Sequence, residues 1–235
     1  GRRIFANTVK YVLMGTSSNF GNMFSAAAAS AVLPFLPMLP SQILLNNMLY
    51  DTSQLAIPTD RVDQEQLHAP SHWNVAFIRR FMLTFGPISS LFDFLTFGLM
   101  LGVLHAGPEE FRTGWFVESL ATQTLIIVAI RTRRIPFVRS RPSAALLAAT
   151  AGVIAVGIAL TLAPVGRTLG FRPLPWQFFG ALALFVAAYL LLVEITKAMF
   201  YAEPIRAPGL PHRTRGRAHR IHRRAAKFSH PGRLG

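Results

Sequence analysis

Six stretches of this 235-residue chain are long and apolar enough to cross a lipid bilayer, and that limits its fold more than any other feature. A spanning helix needs about 20 mainly apolar residues. Residues 12–33 carry no charge, 35–57 only Asp51, 81–104 only Asp93 and 114–130 only Glu118, while 143–165 and 174–193 carry none. A helix of a soluble domain keeps a polar face, and these runs are too long and too many for the core of such a domain. Charged residues make up 14% of the chain, against about 25% in soluble domains. The expected fold is an all-α integral membrane bundle of six transmembrane helices. Residues 1–11 form a short cytoplasmic stalk before the bundle of residues 12–200. A basic tail, 201–235, follows and is expected to be disordered.

The basic residues set the orientation. With the spans threaded alternately, 21 of the 24 Lys and Arg residues fall on one side, and only Arg112, Arg167 and Arg172 on the other. Positive charge accumulates on the cytoplasmic side of membrane proteins. Both termini and the loops 58–80 and 131–141 are therefore expected in the cytoplasm, with the chain multi-pass in the cell membrane. The tail has four prolines and runs such as Arg213-Thr-Arg-Gly-Arg, but Phe228 is its only aromatic residue beyond Tyr201. That pattern suits anionic lipid headgroups better than the aromatic stacking of a nucleic-acid platform. No specific nucleic-acid partner is expected. The absence of Cys excludes disulfides, thiolate metal sites and cysteine nucleophiles.

Polar side chains inside the apolar runs carry the chemistry. Asn19 and Asn22 stand at i, i+3 in the first run, and Asn47 and Asp51 at i, i+4 in the second, so each pair shares a helix face. The corner Leu33-Pro-Phe-Leu-Pro-Met-Leu-Pro40 makes the two helices antiparallel neighbours and brings both pairs to similar depth. A carboxylate inside a membrane is costly and marks a functional site. Asp51 with the amide oxygens of Asn19, Asn22 and Asn47 forms an all-oxygen set suited to a hard cation. One carboxylate among amides suits an ion that keeps part of its water, as magnesium does. Taken singly, Asn22 and Asn47 read as interhelical hydrogen-bond ties. Asp93 reads equally as a tie or an ion-handling group. Glu118, with Thr122 at i+4, reads as a tie or an entrance group.

The run Lys10-Tyr11 to Ser17-Ser-Asn-Phe-Gly-Asn22, the corner Pro34-Phe-Leu-Pro-Met38 and Leu45-Asn-Asn-Met-Leu-Tyr-Asp51 resemble P-type cation-transporting ATPases. They look like the fifth and sixth transmembrane helices of that family, with the nearest likeness to its bacterial magnesium-importing members. Gly86-Pro87-Ile-Ser-Ser90, Phe92-Asp93, Gly114-Trp115-Phe116, Gln123-Thr124-Leu125 and Arg131-Thr132 extend the likeness to about Tyr201. Calcium-pumping relatives carry a carboxylate at the position of Asn22. The resemblance implies the carboxy-terminal membrane half of a pump, with a divalent cation, magnesium, as transported substrate. The Asp-Lys-Thr-Gly phosphorylation motif, the nucleotide-binding domain and the Gly-Asp-Gly hinge of the family are absent from these residues. ATP would act only through an amino-terminal half. The alternatives are a six-helix channel or accessory subunit derived from such a pump, and a membrane anchor acting through its basic tail.

Overall fold

The computed structural model describes residues 2–60, 75–132 and 141–202, and no strand occurs among them. The helices are α1 (Arg2–Val32), α2 (Pro40–Gln54), α3 (Val75–Gly98), α4 (Pro108–Ile130), α5 (Ala144–Leu162), the short α6 (Pro164–Thr168) and α7 (Trp176–Ala202). A 3-10 turn, Ile57–Thr59, follows α2, and a π-helical turn, Leu99–Val103, extends α3. The chain divides at Phe200 into a compact helical unit and the segment Tyr201–Gly235. Most of the basic tail and of the loops 58–80 and 131–141 lies outside the described residues.

Among the described residues, four helices are long and apolar enough to cross a membrane: Val75–Val103, Pro108–Ile130, Ala144–Leu162 and Trp176–Ala202. The protein is a helical membrane protein. The first two expected spans take a different form. Stalk and first span are one continuous helix, α1, of 31 residues, about 46 Å at 1.5 Å per residue. The second expected span, 35–57, contains a helix of only 15 residues. Its start is delayed by Pro34 and Pro37, which have no N–H to donate. Pro40 takes the first helical position, where the missing donor costs nothing. The Gln42 side chain does the capping: Leu39 N–H donates to its Oε1 at 3.0 Å, and its Nε2 donates to Leu169 O at 3.0 Å.

Other boundaries move for local reasons. α4 begins at Pro108, six residues before the apolar run, with Gly107 as its cap and Glu109 and Glu110 in the first turn. Acidic side chains there complement the helix dipole. α5 is capped by Ser143, whose Oγ accepts from Leu146 N at 3.1 Å. α7 continues to Ala202, past the expected end at 193, because Glu194 and Lys197 pair one turn apart at 2.6 Å and stay in the helix.

Hydrogen bonds define the two ends of the bundle. At one end Asp60, Arg131 and Ser143 meet, and Lys10 joins them. At the other, Gln42 reaches Leu169, Arg112 Nε donates to Leu36 O at 2.9 Å, and Arg172 N donates to Thr113 Oγ1 at 2.9 Å. α4 is the central helix: every residue from Thr113 to Thr124 is buried. α5 and α7 flank it, and both expose large apolar side chains such as Val156 and Leu184. α1 and α3 cross closely at Gly21 and Gly86. A Cβ on Gly21 would lie 2.9 Å from Gly86 O, and Ser90 Oγ donates to Gly21 O at 3.0 Å across the same crossing. Aromatic packing closes the other end of the core, with Phe97 edge-on to Trp115 at 5.0 Å and Phe116 against Phe171 at 4.6 Å.

Candidate functional site

The polar groups of the helices fall into an exposed set on an open groove and several buried groups. The first lies on an open groove of about 520 Å³ beside α1 and α2. Asn19, Asp51, Tyr11, Gln54 and Met82 line it. Asn19 and Asp51 are both exposed on this face. Asp51 also borders a neighbouring cavity of about 480 Å³ with Asn7, Thr8 and Pro58. Helical spacing puts Asp51 and Asn19 here, since α1 and α2 run antiparallel from the proline corner.

The second set is internal and centres on Ser119 of α4, which is fully buried. Its hydroxyl donates to Asn22 Oδ1 at 3.2 Å, and accepts from Asn46 Nδ2 at 3.2 Å and from Gln123 Nε2. Three helices are tied at one oxygen. Asn46 Oδ1 and Gln123 Oε1 are buried with no hydrogen-bond partner among the described residues. A turn away along α4, Asp93 Oδ1 accepts from Trp115 Nε1 at 2.8 Å and Oδ2 from Ser25 Oγ at 2.6 Å. The Glu118 carboxyl faces that of Asp93. Ser18, Tyr50 and Gln54 form a further buried polar group between α1 and α2.

The sequence-based ligand set is thus divided. Asn19 and Asp51 share the open groove. Asn22, half-buried, turns its oxygen to Ser119. Asn47 is half-buried, and its neighbour Asn46 is the residue that enters the internal set. Asp93 and Glu118 meet each other at the centre of the bundle. Among the described residues no three His, Asp or Glu side chains gather to hold a metal, so any ion held here would rest on amide and hydroxyl oxygens beside one or two carboxylates.

Asn46, Ser119, Gln123, Ser25 and Trp115 were not anticipated from the sequence. One signal was available: α4 carries Glu118, Ser119, Thr122, Gln123 and Thr124 in succession. Polar groups on every face of an apolar helix mean a helix enclosed by others. The Asn46-Asn47 doublet was read through its i, i+4 relation to Asp51, which selects Asn47. Packing against α4 selects Asn46.

Comparison with known proteins agrees with this architecture. The family described as "Cation transporting ATPase, C-terminus" matches residues 35–199. The chain is 51% identical over 204 residues to the "Magnesium-transporting ATPase, P-type 1" of Escherichia coli strain K12. Two relatives of the same description in Salmonella typhimurium strain LT2 are 50% and 43% identical over the same length. These alignments cover 85% of this chain but only 22% to 23% of the relatives, so the chain spans less than a quarter of their length. With the family match running from before α2 to within the last turn of α7, the chain belongs to the cation-transporting ATPase C-terminal family.

Proposed function

We propose that this chain is the cation-translocating membrane part of a magnesium-type P-type ATPase, driven by ATP hydrolysis in domains that these residues do not contain. The observation that carries the reading is the groove shared by Asp51 and Asn19. Asp51 supplies the negative charge and Asn19 a neutral amide oxygen in the same groove; Asn47, and Asn22 on release of its oxygen from Ser119, complete the set. An oxygen set of this kind suits magnesium, which is a hard ion and gives up its water reluctantly. The open side of the groove leaves room for that water, or for a helix from the rest of the pump. Asp93 and Glu118 have no place in this ligand set.

Both ends of the chain lie on the cytoplasmic side of the cell membrane in this reading, so the Asp60–Arg131 end of the bundle faces the cytoplasm. The support is the distribution of basic residues, 21 against three. The tail then rests on anionic lipid headgroups, a contribution of about 1 kcal/mol per basic residue near the surface.

The test is growth rescue and magnesium uptake by a complete pump that carries these residues. Asp51→Asn keeps the side-chain shape and removes the charge. It is expected to abolish uptake with unchanged amounts of pump in the membrane, while Asn47→Leu weakens cation affinity less, because water replaces one neutral ligand. Uptake by Asp51→Asn at the wild-type rate and affinity would refute the assignment.

A further inference from the structure

Two buried acids have no role in the reading above. Asp93 on α3 and Glu118 on α4 expose no surface, and Asp93 accepts from Trp115, which stands one turn before Glu118 on α4, so the two acids interact across the α3–α4 contact. Their surroundings differ. Both Asp93 oxygens have donors, Ser25 Oγ at 2.6 Å from α1 and Trp115 Nε1 at 2.8 Å from α4. Neither Glu118 oxygen receives a hydrogen bond. The nearby Thr122 hydroxyl is directed at the backbone carbonyls of Glu118 and Ser119, at 3.0 and 3.2 Å.

Among the described residues the groups around the pair offer no positive charge. Among the described residues those acting on it are Ser25 from α1, Trp115 and Thr122 from α4, and Tyr189 from α7, which in turn faces Tyr50 of α2. The buried cations of the bundle are engaged elsewhere, Lys10 and Arg131 at Asp60 and Lys197 at Glu194. Two ionised carboxylates in contact inside an apolar core repel strongly, and such pairs titrate as a unit that holds one proton. A divalent cation is the other way to neutralise them. The donors on Asp93 oppose it, because an indole N–H can only donate and occupies the position a cation would take at Oδ1.

We propose that Asp93 and Glu118 form a one-proton site at the centre of the bundle, in which Glu118 carries the proton and donates it to the Asp93 carboxylate. The proton supplies the donor missing from the contact, and the second Glu118 oxygen remains without one. The proton turns an acceptor–acceptor contact into an O–H···O bond, the kind that is strengthened when the acceptor is ionised. Asp93 then has three donors, one each from Ser25, Trp115 and Glu118, and the pair keeps one negative charge. Helices α1, α3 and α4 are joined at this point by a proton rather than by a metal. The inference rests on the buried geometry and stands independently of the transport reading.

Infrared spectroscopy of the full chain in lipid at neutral pH tests it. The wild type is expected to show the carbonyl stretch of a protonated carboxyl, shifted in D2O and unchanged by added magnesium chloride. Glu118→Gln, which keeps the shape and the donor, is expected to lose the band. Asp93→Asn is expected to keep it at a shifted frequency, because the ionised acceptor is gone. Glu109→Gln, an exposed control, leaves it as in the wild type. If Glu118→Gln does not fold, the shift in Asp93→Asn decides. Folded wild type without the band overturns the proposal. So does a band that survives in Glu118→Gln, one that stays in place in Asp93→Asn, or one that magnesium abolishes, the last assigning the pair to a metal.

Discussion

Arg131 Nη1 donates to both carboxylate oxygens of Asp60, at 3.1 and 3.0 Å, and both side chains are 1% exposed. This contact joins the end of α4 to the segment after α2. Asp60 Oδ1 also accepts from Ser143 N at 3.2 Å, at the cap of α5, and Lys10 Nζ of α1 stands 3.6 Å from Oδ2. One carboxylate thus fastens four helices at one end of the bundle.

Removing that carboxylate is expected to be costly. Breaking a buried ion pair by deleting one partner costs about 3–5 kcal/mol. Asp60→Ala should lower the thermal unfolding midpoint in detergent more than Asp60→Asn, which retains an acceptor oxygen for Ser143. Fluorescence-detected gel filtration after a heating series reads both. Equal midpoints for Asp60→Ala and wild type would show that the tie contributes nothing.

Ser119 holds the internal polar set together, so its hydroxyl should matter more than its size suggests. Ser119→Ala leaves Asn46 Nδ2, Gln123 Nε2 and Asn22 Oδ1 without this partner. Each buried polar group left unsatisfied costs about 1–3 kcal/mol. A marked loss of stability is expected, with partial recovery in the double variant Ser119→Ala/Asn46→Leu. The measurement is the same heating series, and a recovery of zero would argue against the shared oxygen.

The crossing of α1 and α3 makes an ordered prediction for its two glycines. A Cβ on Gly21 meets the backbone oxygen of Gly86 at 2.9 Å and Ser89 Cβ at 3.0 Å. A Cβ on Gly86 meets the Phe20 ring, with Cδ1 at 2.5 Å, and a ring on the flank can turn aside. Gly21→Ala should therefore destabilise by about 1–3 kcal/mol, and Gly86→Ala by less. The opposite order in unfolding midpoints would count against this packing.

Topology can be read by labelling, because the chain has no cysteine of its own. A cysteine at Thr59 should resist an impermeant maleimide in intact cells and react after the membrane is opened. A cysteine at Gly107, where an added Cβ meets no atom within 4 Å, should react from outside without permeabilisation. Labelling in the reverse pattern would invert the orientation.

The sequence alone determined that this is an all-helical membrane protein, because hydropathy depends only on composition along the chain, whereas four rather than six helices among the described residues are long and apolar enough to span. The resemblance carried by the Asn19, Asn22 and Leu45–Asp51 motifs also led to the right family, since motif order and spacing are sequence properties. Helix ends were less legible. Burial by neighbours and local caps extended α4 back to Pro108 and α7 on to Ala202, while the proline corner moved the start of α2 to Pro40 and the turn after Gln54 ended it. Side-chain partners were decided only by the tertiary structure. Helical spacing places Asn22, Asn46 and Asn47 on faces, but it does not say which neighbour each face meets. The position of α4 at the centre of the bundle answers that. It draws Asn46 and Asn22 to Ser119, sets Glu118 against Asp93, and leaves Asp51 beside Asn19 on the open side.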